Sequence, residues 1–199
     1  MRLITRTLTT LAAATVFGGG CASTKITSML APGVSVRHAV VVVSVEHGNL
    51  EMRRMGEQAF VKELQLVGVR GIPWTTLMFP GRAYAGSEIN RIIGDSGATA
   101  VLRVSAQGAD SGVVYGPPTT TTQMTPTYGG GYSATSTTSP GIAVSWATAS
   151  YEARLFDAGT SAVLWFAQMA SEGTYVEEPS LIRNMVKTTV AQLRKDGVF

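Results

Sequence analysis

An α/β domain built on one mixed sheet is the fold class this chain predicts, and three features carry that expectation. Val40-Val41-Val42-Val43 is apolar on both faces, as the buried centre of a parallel sheet requires. Stretches with apolar residues at helical spacing alternate with short apolar runs along the first half. Near the end, Asp157-Ala158-Gly159-Thr160 separates two alternating runs, which marks a β-hairpin. The expected order is β-α-β-α-β-(long loop)-β-β-α, a single three-layer domain. Right-handed crossovers then place the parallel strands in the order 2-1-3, with a C-terminal antiparallel hairpin completing a mixed five-stranded sheet.

The first strand is expected over residues 36–45. Gly48-Asn49 turns the chain, and Asn49 is suited to cap a helix. Met52, Met55, Ala59, Phe60, Leu64 and Val67 follow at helical spacing, and Gly68 ends the helix in a left-handed conformation. A second strand lies within 69–77, at a sheet edge because Pro73 cannot donate to a central ladder. Ser87 is placed to cap a short helix carrying Ile89, Ile92 and Ile93 inward, closed near Gly94 or Gly97. The third strand is expected over 100–107. Residues 108–141 are rich in Thr, Gly and Pro and predict a water-exposed loop without regular structure. Strands at 142–156 and 162–171 form the hairpin. A last helix runs from Ser180 to Asp196 with Ile182, Met185, Val186, Val190 and Leu193 inward and Gly197 at its end.

One face of the hairpin carries Ala143, Ala147, Ala149 and Ala153, small enough for the last helix to approach closely. The other is expected to hold Trp146, Phe156, Trp165 and Met169 beside Thr148, Ser150, Glu152 and Arg154. That second face is the candidate partner-binding surface, unless the long loop folds back over it. Tyr128 and Tyr132 of the loop join the candidate contact residues.

Residues 1–20 have the layout of a signal peptide: Arg2 and Arg6, an apolar run from Leu8 to Phe17, then Gly18-Gly19-Gly20. The run is about half the roughly 20 residues a bilayer-spanning helix needs. The segment ending Gly19-Gly20-Cys21 resembles the lipobox of bacterial lipoproteins, which implies acylation of Cys21. Several acyl chains on one residue hold a protein to a bilayer where a single chain binds only marginally. Ala22 after the cysteine implies, by the same resemblance, the outer membrane. The alternative is cleavage after Ala22, releasing a soluble periplasmic protein. Residues 21–34 then read as a lipidated tether and 35–199 as the periplasmic domain. With Cys21 the only cysteine, no internal disulfide forms.

The formal charge of +3 suggests nucleic acid at first sight. Of the 16 basic residues, Arg2 and Arg6 leave with the signal, and the remaining 14 against 13 acids form no cluster. The electrostatic footprint of nucleic-acid binding is missing. Gly94-Asp95-Ser96-Gly97 echoes a protease serine loop, but it closes an isoleucine-striped helix and Ala98 stands where a glycine belongs. His38 and His47 lack the spacing of a metal site. Glu177-Glu178 are adjacent rather than convergent. No catalytic residue, metal or cofactor is expected. A membrane pore built from the long loop is disfavoured too, since a spanning strand needs alternating apolar residues.

The pattern Arg37-His38-Ala39-Val40-Val41-Val42, then Glu63-Leu64-Gln65-Leu66-Val67-Gly68, Ser96-Gly97-Ala98-Thr99-Ala100-Val101-Leu102, Val163-Leu164-Trp165 and Leu193-Arg194-Lys195-Asp196-Gly197 resembles periplasmic α/β domains of outer-membrane lipoproteins. That group includes the curli-export lipoprotein, the lipoprotein activators of peptidoglycan synthases and the N-terminal domain of the TolB protein. The resemblance covers most of 36–199 and implies a non-catalytic adaptor or assembly factor with an envelope protein partner. A periplasmic small-ligand or peptidoglycan-binding module is the alternative.

Overall fold

The computed structural model of the protein describes residues 22–34, 38–127 and 131–199. Its elements run β1 (Ala22–Leu30), β2 (Val40–Glu46), α1 (Leu50–Leu66), β3 (Arg70–Pro73), α2 (Trp74–Leu77), α3 (Gly86–Asp95), β4 (Ala100–Tyr115), β5 (Thr119–Thr127), β6 (Gly131–Ser139), β7 (Ala143–Asp157), β8 (Val163–Thr174) and α4 (Glu178–Lys195). Six strands form one sheet in the order β1-β8-β7-β4-β2-β3, and β5-β6 form a second. The parallel part, β3-β2-β4, has the 2-1-3 order the crossover rule predicts, and the β7–β8 hairpin extends it beyond β4.

The local signals explain most boundaries. Asn49 caps α1, its side chain accepting from Glu51 N at 2.8 Å and Met52 N at 3.4 Å. Gly68 follows the helix at φ +81°, a conformation that favours glycine. Pro73 ends β3 on the sheet edge. The α3 cap departs from expectation: the helix starts at Gly86 from Ala85, and Ser87 lies inside its first turn.

On one face of the sheet, Val41, Val43, Val45, Leu102 and Val104 meet Phe60 and Leu64 of α1 and the α4 stripe Ile182, Met185, Val186, Val190 and Leu193. Every member of that expected stripe is buried. Ala149, Ala153 and Ala167 keep the sheet surface low beneath α4. Gly56 and Gly71 let α1 lie close on the sheet, since a Cβ would meet Val45 Cγ1 at 3.2 Å from Gly56 and Val61 Cα at 2.9 Å from Gly71. Glu57 is also fully buried, its carboxylate accepting from Val45 N at 3.4 Å, Thr75 N at 3.0 Å and Thr75 Oγ1 at 2.6 Å. That side chain fastens α2 to the sheet.

Four expectations are corrected. The sheet has six strands instead of five, because residues 22–30, read as tether, form β1 antiparallel to β8. Polar contacts hold it: Thr24 Oγ1 pairs with Ser171 Oγ at 2.7 Å and accepts from Asn184 Nδ2 at 3.0 Å, while Ser28 Oγ donates to Asp196 Oδ2 at 2.7 Å. The described part of residues 108–141 is not an irregular loop; β4 runs on to Tyr115 and the β5–β6 hairpin follows. Trp165 and Met169 do not share a face with Trp146 and Phe156. Leu164 is an extra residue between the pairs Leu155↔Trp165 and Phe156↔Val163, and this bulge turns the rest of β8 over. Trp165, only 1% exposed, therefore lies under α4, where its Nε1 donates to Asp196 Oδ2 at 2.7 Å. Met169 is buried beside it and accepts from Thr189 Oγ1 at 3.0 Å.

These placements yield two measurements. Trp165→Phe removes a buried hydrogen bond and opens a small cavity, and urea unfolding should show a loss of about 2 kcal/mol. Trp146→Phe should stay within about 0.5 kcal/mol. His38 is buried with Nδ1 3.3 Å from Thr99 Oγ1, and Nε2 has no partner among the described residues. Desolvation lowers its pKa below 6.5, opposed by the Asp157 carboxylate. The unfolded chain therefore takes up a proton that the folded chain refuses, so stability falls as pH drops below about 6.5. Urea midpoints measured between neutral and mildly acidic pH should decline less steeply for His38→Asn.

Candidate functional site

The face opposite α4 holds the even-numbered residues of β7 and β8. Among the described residues α3, with Trp74 of α2, covers its β2–β4 side. Thr148, Ser150, Gln168 and Ala170 are exposed there, so the chain from 108 to 141 does not fold back over this surface. Its chemistry is ionic rather than apolar. Arg103 pairs with Glu46 and Arg154 with Glu152, each at 2.6 Å, and the Arg154 guanidinium lies 5.8 Å from the Phe166 ring centre.

The expected partner-binding residues are not brought together. Trp165 and Met169 belong to the core. Trp146 and Phe156 share the open face, but ten strand positions separate them by roughly 33 Å. Phe156 lies beneath α3, lining a cavity. Trp146 stands opposite Gly112, whose missing side chain leaves room for the indole: a Cβ there would lie 3.0 Å from Trp146 Nε1. Cys21 and Tyr128 lie outside the described residues, as do residues 1–20 and the side chain of Tyr132.

The feature that sequence reading missed begins beside Trp146. An extra residue at Gln107 shifts the β4 register between Ala106 and Gly108. Beyond it, Gly108–Tyr115 pairs with Ala143–Ser150, flanked by β8 as far as Trp146, and only Val113–Tyr115 with Ala143–Ser145 project further as a two-stranded arm. β2 stops at Glu46, opposite Ser105, so no strand covers the outer edge of β4 from there on. β8 stops at Thr174, opposite Trp146, and Tyr175 N donates to Ser145 O at 2.8 Å, so past that bond Ala143 and Val144 have no β8 neighbour in the ladder. Gly116 N donates to Ile142 O at 2.9 Å and closes this ribbon before the β5–β6 hairpin. That hairpin is laced by hydroxyl pairs, Thr120 with Thr138 and Thr122 with Ser136, each at 3.0 Å. All its described side chains are exposed.

Between residues 108 and 151 the only charged side chain is Asp110. A belt of apolar residues surrounds the ribbon: Val113 is 53% exposed, Val114 58%, Tyr115 73% and Ile142 75%. Both signals were present in the sequence, as the Gly-x-x-x-Gly spacing of Gly108, Gly112 and Gly116 and the Val113-Val114 pair, but threonine and proline content obscured them. The β5–β6 strands, nine residues each, have the length of a membrane strand; Thr, Ser and Gln on both faces deny them a lipid-facing surface.

Ser96 and His47, both weighed as catalytic or metal-binding candidates, are engaged structurally. Ser96 Oγ donates to Ile93 O at 2.6 Å, at the end of α3. His47 Nε2 lies 2.9 Å from Glu178 Oε1. Tyr151, buried beneath α4, has its pKa pushed up to about 12 by desolvation and by the Glu178 carboxylate. Among the described residues no three His, Cys, Asp or Glu side chains converge as metal ligands. No helix among them is long and apolar enough to cross a membrane.

The sequence matches no model of a known family and no curated protein. Solved structures do resemble the fold. The PelC dodecamer from Paraburkholderia phytofirmans superposes with a TM-score of 0.51 at 13% identity, over 86% of this chain and 97% of that one. A point variant of the same dodecamer gives 0.51 at 12% identity, over 85% and 97%. Lipoprotein GNA1162 from Neisseria meningitidis gives 0.42 at 18% identity, over 79% of this chain and 99% of that one. The chain thus shares, at low identity, the fold of PelC.

Proposed function

We propose that this protein is a non-catalytic assembly factor, anchored by lipid to the periplasmic face of the outer membrane. In this reading copies of the chain associate through their arms and present a composite surface to an envelope protein partner. The observation that carries it is the arm and the strand leading to it: a β4 edge with no strand paired to it past Ser105 among the described residues, an exposed apolar belt, and Asp110 as the single charge between residues 108 and 151. Edge strands are normally protected by lysines, short length or a covering element, because unpaired N–H and C=O groups recruit another strand. Here those defences are missing and apolar area is added, which suits strand pairing with a neighbour. The likeness to PelC, a dodecamer, supports association of like copies.

Anchoring rests on residues 1–21 and has one structural consequence. β1 starts one residue after Cys21, so acyl chains there would hold the β1 edge of the sheet directly at the headgroups.

Native mass spectrometry of the full chain in detergent should show an oligomer, and Val114→Lys with Ile142→Lys should reduce it to monomer with unchanged circular dichroism. A monomeric wild type at micromolar concentration, or a double variant of unchanged mass, would overturn the assembly reading. In fractionated cells Cys21→Ala should leave the membrane fraction or stall in processing; unchanged membrane retention with normal cleavage would overturn the anchor.

A further inference from the structure

A cavity of about 460 Å³ lies between α3 and the open face of the sheet, within the size range of small-molecule sites. Ile89 and Ile93 of α3 form one wall, Val101 and Phe156 of the sheet the other, and Trp74 of α2 lines it as well. β2 and β3 send their connections to opposite faces, α1 to one and α2–α3 to the other. In open α/β sheets the crevice at such carboxyl ends is where ligands bind. Glu57 holds the residue after Trp74 by its backbone and hydroxyl, so this part of the wall is fixed.

The cavity is electrostatically uneven. At the carboxyl end Glu46 is neutralised by Arg103 at 2.6 Å. Arg53 also lines this cavity, with no carboxylate within 4 Å among the described residues, and the residues outside that set contain no Asp or Glu. Its Nη2 makes one long contact, 3.4 Å to His47 O, and its Nε is buried without a partner. Glu57, one helical turn on, spends both oxygens on Val45 and Thr75. The remaining acid of the lining, Asp157, sits five strand positions from the level of Glu46, roughly 16 Å away. Its Oδ1 accepts from Gly159 N, Thr160 N and Thr160 Oγ1 at 3.0, 2.7 and 2.9 Å. Nε is shielded from the cavity, but a guanidinium without a carboxylate partner keeps its charge and its terminal N–H donors for an anion.

We infer that this cavity binds a small organic carboxylate with an apolar body: the carboxylate on Arg53, the body between Ile89, Ile93 and Phe156. The inference is independent of the assembly role, since none of these residues belongs to the arm.

Isothermal titration of the full-length protein with 2-naphthoate and with its neutral counterpart 2-naphthylmethanol tests it. Wild type should bind naphthoate at least tenfold more tightly than the alcohol, a comparison that needs no variant. Arg53→Gln should weaken naphthoate at least tenfold and change the alcohol less than twofold. Ile89→Trp, at a half-exposed position, should fill the cavity and abolish both. Absence of saturable naphthoate binding to wild type, equal affinity for the two probes, an unchanged Arg53→Gln or an unchanged Ile89→Trp would each overturn the proposal.

Discussion

The antiparallel pairing of β4 with β7 is the interaction on which the molecule depends. Through Ala100↔Asp157 to Ala106↔Tyr151 it joins the parallel β3-β2-β4 half to the β7–β8 hairpin, making one sheet of two different halves. Without it α1 and α4 would have no common floor, since Leu102, Val104, Ala153 and Leu155 all lie in that seam and are buried beneath them. The same ladder, carried past the Gln107 bulge, also builds the arm. Core and arm are one continuous pair of strands. A distortion at the seam is therefore felt by both.

What the sequence made legible follows from how strongly each segment depends on water. The valine run, the α4 stripe and Asn49 succeed because burial and capping leave period and identity in the residues themselves. β1 left no such trace. Its inward positions Thr24 and Ser28 are held by hydroxyl contacts to Ser171, Asn184 and Asp196, and a polar strand fixed by hydrogen bonds looks like linker. The arm escaped notice for a related reason. A ribbon exposed on both sides needs no alternation, so its Thr, Gly and Pro read as disorder.

The candidate site was half legible. Trp146 and Phe156 were placed on the correct face, whereas Trp165 and Met169 were reversed by a single bulged residue, Leu164. A bulge of this kind exchanges the two faces of every residue that follows, and nothing in the local composition announces it. Arg53 carried no signal either: one arginine among the polar positions of an amphipathic helix is indistinguishable from solvated surface. Only the fold shows that it lines a crevice, by bringing α3 across β2.

The arrangement separates two surfaces by chemistry as well as by place. The arm is nearly uncharged and apolar at its belt, suited to strand pairing and contact with another protein. The cavity under α3 is open on one side and holds Arg53, which has no carboxylate partner among the described residues, and so suits a small ligand. β4 contributes to both, through Val101 and Arg103 in the cavity and Val113 to Tyr115 in the belt.

Amide hydrogen exchange along β4 tests the central claim most directly. If the β4–β7 ladder is one continuous structure, amides bonded to β7 remain protected from Ala100 through Tyr115, with protection grading down gradually beyond Gln107. Protection that stops at Gln107, with Gly108 to Tyr115 exchanging as fast as an unfolded chain, would contradict it.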